Sequence, residues 1–305
     1  MRPSAATQAR RYVMAWLSRI LAPVAFSPGC RGAAQYAETL ACHFHSELIL
    51  LHVVPPPPGL YTAPEATAYS TAAELTGERV EQRKIELKTY LEDHHPHVRL
   101  TRQVVTGDPA HEIAAYARDH EVDLIVMATH GYGPFRRFLL GSVTAKVLHD
   151  AACPVWTGPH LETAPSYESI GFRRIVCAID LAKGSRAVLE WAGRFAREFG
   201  ADLAIVHVLP HTLIQLAGVY FDPQWRQQAA AAARDQISRL QQETGTSGEV
   251  LIEIGAPPGT VSDVAASRRA DLLVIGRGNE SGMSGRLRAN AYAILRESPC
   301  PVATI

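Results

Sequence analysis

Residues Asp123 to Thr157 read DLIVMATHGYGPFRRFLLGSVTAKVLHDAACPVWT. Asp123 to Met127 is a short apolar run, the pattern of a strand covered on both faces. Ala128, Gly131, Gly133 and Pro134 then interrupt any period. Gly141-Ser142 opens a helix in which Val143, Val147 and Leu148 share one face, with Ser142 placed to cap the first turn. Cys153-Pro154-Val155 begins the next strand. A glycine-rich turn between a strand end and a helix N-terminus offers unpaired amides and the positive end of a dipole to an anion. Glycine, lacking a Cβ, lets the main chain approach that anion closely.

The same unit is written twice. Arg19 to Phe26 lines up with Arg174 to Leu181, and Leu50-Leu51-His52-Val53 with Ile205-Val206-His207-Val208, both at an offset of 155. Gly107-Asp108-Pro109 matches Gly255-Ala256-Pro257, and Asp123 to Val126 matches Asp271 to Val274, at an offset of 148. Cys153-Pro154-Val155 matches Cys300-Pro301-Val302 at 147. A fixed order and a near-constant offset mark an internal repeat.

Each copy reads β-α-β-α-β-α-β-α-β. In the first, the expected strands are 20–26, 48–54, 98–105, 123–127 and 153–157. Ser27 caps a helix with Pro28 at its first position, running to Phe44. Pro55 to Pro58 leads a long loop to about Ser70. A charged helix over 71–93 follows, then one from Gly107-Asp108-Pro109 to about His120. Strands alternating with helices imply a parallel sheet covered on both faces. Ligands of such sheets sit beyond the carboxyl ends of the strands, where strand order reverses.

The loop resembles the nucleotide loop of the universal stress proteins: Gly, two residues, Gly, nine residues, Gly, then Ser or Thr. Here it runs Ala128, Thr129-His130, Gly131, Tyr132 to Leu140, Gly141, Ser142, with alanine in place of the first glycine. The resemblance covers nearly all of residues 19–305. It implies two tandem flavodoxin-like or Rossmann-like domains of the adenine nucleotide alpha hydrolase-like kind, each a five-stranded parallel sheet with helices on both faces. The boundaries are an extension over 1–18, a first domain over 19–157, a linker over 158–171 and a second domain over 172–305. The family's last strand pairs across to another unit. The two halves are therefore expected to form an internal pseudo-dimer, and two chains a homodimer. The family's function is a stress-response or regulatory one, with ATP as the bound nucleotide, with or without Mg²⁺.

Residue by residue, the resemblance puts adenine and ribose beside Pro23, Val24 and Val53. Phosphates fall on Met127, Ala128, Gly131, Gly141, Ser142 and Val143. The family's acid at the end of strand one is Ala25 here, whereas the second half keeps it as Asp180. That half carries Asn279, Arg288 and Ala289 at the second glycine, third glycine and serine, in a loop one residue shorter. A bulky arginine obstructs phosphate from the backbone, so nucleotide is expected in the first domain only. The missing hydrogen bond at Ala25 weakens it by ~1 kcal/mol.

Lys+Arg and Asp+Glu both number 30, so nothing points to nucleic acid. Scattered Cys30, Cys42, Cys153, Cys177 and Cys300 suit a reducing cytoplasm. No apolar run approaches a membrane span. Arg2, Arg10 and Arg11 with no acid over 1–18 leave a surface-targeting segment as the alternative to a plain extension. Arg136, Arg137 and His130 stand within reach of phosphates or in a solvated loop. His94, His95 and His97 form a metal-like tract at a helix end. His52 and His207 read as satisfied core histidines, and Cys153 and Cys300 as small buried hydrophobes. Asp180 also reads as a helix-start acid. No catalytic set or metal site emerges. The loop lacks the lysine of GxxxxGK[ST], so fast hydrolysis is not expected. Two rivals remain: an interaction protein whose sites bind nothing, and a slow ATPase using Ser142 or a bound water.

Overall fold

The structure, a computed structural model, describes residues 16–56, 66–129, 140–158, 171–210, 223–277 and 289–305. The first half contains β1 (Arg19–Pro23), α1 (Pro28–Phe44), β2 (Glu47–Val54), α2 (Ala66–Thr89), β3 (Arg99–Thr106), α3 (Pro109–Asp119), β4 (Leu124–Val126), α4 (Ser142–Asp150) and β5 (Val155–Thr157). The second contains β6 (Arg174–Ala178), α5 (Ser185–Phe199), β7 (Asp202–Pro210), α6 (Pro223–Thr244), β8 (Glu249–Gly255), α7 (Pro257–Ser267), β9 (Leu272–Ile275), α8 (Ala289–Glu297) and β10 (Val302–Thr304).

All ten strands join one sheet in the order β3-β2-β1-β4-β5-β10-β9-β6-β7-β8. Within each half every pairing is parallel. The halves meet at one antiparallel pair, Val155 to Thr157 of β5 against Val302 to Thr304 of β10. Alternation along the strands divides the core. Ile20, Ala22, Leu48 and Leu50 lie in the core on the side of α1 and α2, which α5 and α6 continue over the second half. Leu21, Ile49, Leu51 and Val53 lie in the core on the side of α3 and α4, which α7 and α8 continue. On the first face the halves share one aromatic cluster, in which Trp156 of β5 packs against Tyr36, Phe172, Trp191 and Phe195.

Local chemistry sets most helix starts. Ser27 Oγ accepts from the Cys30 amide at 3.3 Å ahead of Pro28, and Asp108 Oδ1 from the His111 amide at 3.1 Å ahead of Pro109. Just before it, Gly107 lies at φ +151, where a Cβ would collide with the Glu112 side chain. The repeat also places one aspartate twice as a strand clamp. Asp123 Oδ2 accepts from the amides of Ser18 (2.7 Å) and Arg19 (2.9 Å). Asp271 Oδ2 accepts from those of Arg173 (2.8 Å) and Arg174 (2.9 Å).

Three expectations change. Ser142 does not cap α4; Gly141 holds the cap position in an extended conformation, and no side-chain bond is made there. Strand one stops at Pro23, because Ala25-Phe26 turns away and Phe26 adopts φ +56. Helix α2 begins at Ala66, not Thr71, since its opening ATAYSTAAEL is rich in alanine, the strongest helix former.

Candidate functional site

In the first half β1 pairs with β2 on one side and β4 on the other. Strand order reverses there, the point beyond the carboxyl ends of β1 and β4 where sheets of this kind take their ligands. Six of the nine residues singled out for nucleotide come together around it. Pro23 and Val24 end β1, and the Val24 amide donates to the Leu51 carbonyl at 2.8 Å. Met127 and Ala128 continue β4, the Met127 amide bonding the Trp156 carbonyl at 3.0 Å. Gly141 and Ser142 start α4 beside them: the Gly141 amide donates to Thr129 at 2.8 Å and Thr144 Oγ1 to the Ala128 carbonyl at 3.0 Å. Val143, in the first turn of α4, packs half-buried against the α3/α4 side of the core, as does buried Val53 on β2. Gly131, with His130, Arg136 and Arg137, lies outside the described residues, as do Asn279 and Arg288 of the second half.

The first bond of the α4 ladder runs from the Ala145 amide to the Gly141 carbonyl at 2.8 Å. The amides of Ser142, Val143 and Thr144 therefore precede the ladder at a helix start without a side-chain cap. Such a start favours an anion through its dipole. Ser142 stands exposed at the first position.

Sequence reasoning missed several participants. Phe26, just past β1, lies over His52 with ring centroids 4.7 Å apart, and Arg83 sits 5.2 Å above its ring. Its counterpart Leu181 repeats the left-handed backbone at φ +62. A bulky residue in this region costs on the order of 1 kcal/mol, and such strain concentrates at functional crevices. The 155-residue match of the two positions could have signalled it. Arg277, matched to Thr129 at offset 148, crosses between the halves: its guanidinium donates to the carbonyls of Ala151 and Cys153. An arginine set between two glycines in the sequence Gly276-Arg277-Gly278 was the available clue.

The histidines on the strands are held by the main chain. His52 Nδ1 donates to the Val24 carbonyl at 2.7 Å, and His207 Nδ1 to the Ile179 carbonyl at 2.9 Å. Burial lowers the proton affinity of His52, opposed by that bond and reinforced by Arg83. Burial pushes the thiols of Cys153 and Cys300 up to about 11 and that of Cys177 up to about 12, so all three stay protonated near neutral pH. Asp180 Oδ1 accepts from the Ala182 amide at 3.0 Å and from Ser185 Oγ at 3.2 Å, turning the chain into α5. His94 Nδ1 bonds the Leu91 carbonyl at 3.0 Å, and His95 Nδ1 lies 3.6 Å from Cys42 Sγ. Among the described residues no group of three or more His, Cys, Asp or Glu side chains could hold a metal ion. No helix among them is long and apolar enough to cross a membrane.

The universal stress protein family model matches this chain twice, over residues 17–157 and 171–305. The chain belongs to the universal stress protein family. A universal stress protein of Methanocaldococcus jannaschii is 31% identical over 137 residues, 45% of this chain and 79% of that protein. Universal stress protein A homolog 1 of Coxiella burnetii is 27% identical over 138 residues, 44% of this chain and 96% of that protein. A solved universal stress protein of Archaeoglobus fulgidus superposes with a TM-score of 0.63 over 94% of this chain and 95% of that one, at 22% identity. A putative universal stress protein of Pseudomonas aeruginosa does so at 0.62, covering 96% and 94%, at 20% identity. These two share the fold, including its tandem length.

Proposed function

We propose that this universal stress protein is a stress-response regulatory module that binds ATP in the crevice of its first half. The observation that carries the reading is the start of α4. Gly141 caps the helix without a side chain, and the amides of Ser142, Val143 and Thr144 precede the first bond of its ladder, beside the point where strand order reverses. The residues present fit a polyphosphate: backbone donors and a dipole supply the attraction, and Gly141 leaves room for close approach. Pro23, Val24 and Val53 offer an apolar wall for a base, and exposed Ala25 leaves the ribose without a carboxylate partner. Binding is accordingly weaker than with an acid there, by ~1 kcal/mol. The antiparallel pairing of β5 with β10 supports an internal pseudo-dimer of the two halves.

Isothermal titration of the full chain with ATP and Mg²⁺ tests this. One site per chain is expected, lost in Gly141→Arg. Unchanged heat in that variant would move the nucleotide elsewhere. No heat at millimolar ATP would favour an interaction protein that binds no nucleotide.

A further inference from the structure

Helix α4 carries the amides of the candidate anion site, yet it has only nine residues. A helix that short is marginal by itself, so its ends depend on ties to the rest of the fold. At its start no side chain caps it. At its end the chain turns into β5, and the carbonyls of Ala151 and Cys153 in that turn accept from Nη1 and Nη2 of Arg277 in the second half. Arg277 follows β9, where its amide donates to the Ile305 carbonyl at 3.0 Å. With Ala151, Ala152 and Pro154 of the first half it lines a cavity of about 700 Å³ beyond the carboxyl ends of β6, β7 and β9.

The second half closes its own turn without help. Ser298 stands where the first half has Ala151, and Cys300 where it has Cys153, both at the repeat offset of 147. Ser298 Oγ donates to the Cys300 carbonyl at 2.7 Å and so satisfies the turn after α8 from within. The helical bond before it is the same in both copies, Ala151 to Val147 at 2.9 Å and Ser298 to Ile294 at 2.8 Å. Thr129, which matches Arg277 in the first half, has a far shorter side chain, and its carbonyl accepts from the Gly141 amide. Through these groups the dependence runs one way: α4 leans on the second half, and α8 does not lean on the first.

We propose that Arg277 is a positioning residue for the anion site of the first half, holding the far end of α4 so that the amides at its start stay in place. What α4 binds rests on the ATP reading above; what holds α4 does not. One planar guanidinium fork satisfies both carbonyls of the turn, a geometry that lysine does not reproduce. Its positive charge also sits at the negative end of the α4 dipole. Without it, two carbonyls inside the fold lose their donors and the last turn loosens. The amides at the start of the same rod, ~14 Å away, shift with it. The second half thus serves as a brace for the site of the first.

Amide hydrogen exchange of the full chain without nucleotide, read by mass spectrometry, tests the brace. In Arg277→Ala the amides of α4 should exchange about tenfold faster, the factor given by ~1.4 kcal/mol, while those of α8 stay within about twofold of wild type. Arg277→Lys keeps the charge but loses the fork, and should give about threefold; it carries the test if the alanine variant does not fold. Adding Ala151→Ser to Arg277→Ala imports the turn of the second half. That double variant should bring the factor back to about threefold, since it replaces one of the two bonds. By isothermal titration Arg277→Ala should bind ATP about fivefold more weakly, and the double variant only about twofold more weakly. Unchanged exchange in α4, equal acceleration of α4 and α8, no recovery with Ala151→Ser, or ATP affinity unaltered by Arg277→Ala would overturn the inference. A wild type that takes up no ATP would count against the nucleotide reading, while the exchange pattern still decides whether Arg277 holds α4.

Discussion

Replacing Trp156 by alanine tests whether the two halves share one core. Trp156 is fully buried, and it touches Tyr36 from the first half and Phe172, Trp191 and Phe195 from the second. A buried indole removes ~200 Å² from water, worth about 5 kcal/mol at ~25 cal/mol per Å². Its Nε1 is buried without a hydrogen-bond partner, which offsets roughly 1–2 kcal/mol of that gain. The alanine variant should therefore lose about 3–4 kcal/mol, within the range seen for aromatic-to-alanine changes in cores. Phenylalanine should lose only about 1 kcal/mol, since it keeps most of the ring and sheds the unpaired N–H. Urea unfolding of the full chain, followed by circular dichroism, measures both. If unfolding resolves into two steps, both must move, because the ring is gripped from both sides of the β5/β10 seam. A loss under ~1.5 kcal/mol for alanine, or a shift confined to one step, refutes the shared core.

Ser27→Ala should cost about 1 kcal/mol by uncapping α1, while Ser142→Ala should shift the urea midpoint by no more than a few tenths, because Gly141 holds the cap of α4. Asp123→Ala should cost about 1–2 kcal/mol by releasing the amides of Ser18 and Arg19, with Asp271→Ala close to it; a negligible loss in both would deny the clamp. The lowered proton affinity of His52 means the unfolded chain binds the proton more readily than the folded one. The stability it supplies is full above its usual value near 6.5 and is lost as pH falls through the lower folded value. Urea midpoints should thus decline between pH 7.5 and 5.5, more steeply in the wild type than in His52→Asn. A steeper decline in the variant would contradict the sign.

Where a feature depends on neighbours in sequence, it was legible. Ser27-Pro28 and Asp108-Pro109 start helices as read, because a cap and its amide lie within three residues. The apolar runs became buried strands, and the paired histidines became satisfied ones, since each repeat carries the same bond. The start of α4 was read one residue late: serine and glycine both suit a cap, and only the backbone angles decide between them. Phe26 and Leu181 escaped because a left-handed bulky residue persists only when surrounding structure holds it there.

The sequence by itself determined the doubled βα unit, its alternation of elements, and the placing of a glycine-bearing turn between a strand end and a helix start. These follow from short-range period and turn chemistry. The family resemblance implied that the last strands pair across the halves; only the tertiary structure decided the direction and register of that seam and what packs over it. The antiparallel register of β5 and β10, the aromatic cluster around Trp156, the reach of Arg277 to Ala151 and Cys153, and the second-half cavity all belong to that level. The residues concerned stand far apart in the chain, 126 positions for Arg277 and Ala151. No local period or propensity links them, so their meeting is set by packing alone.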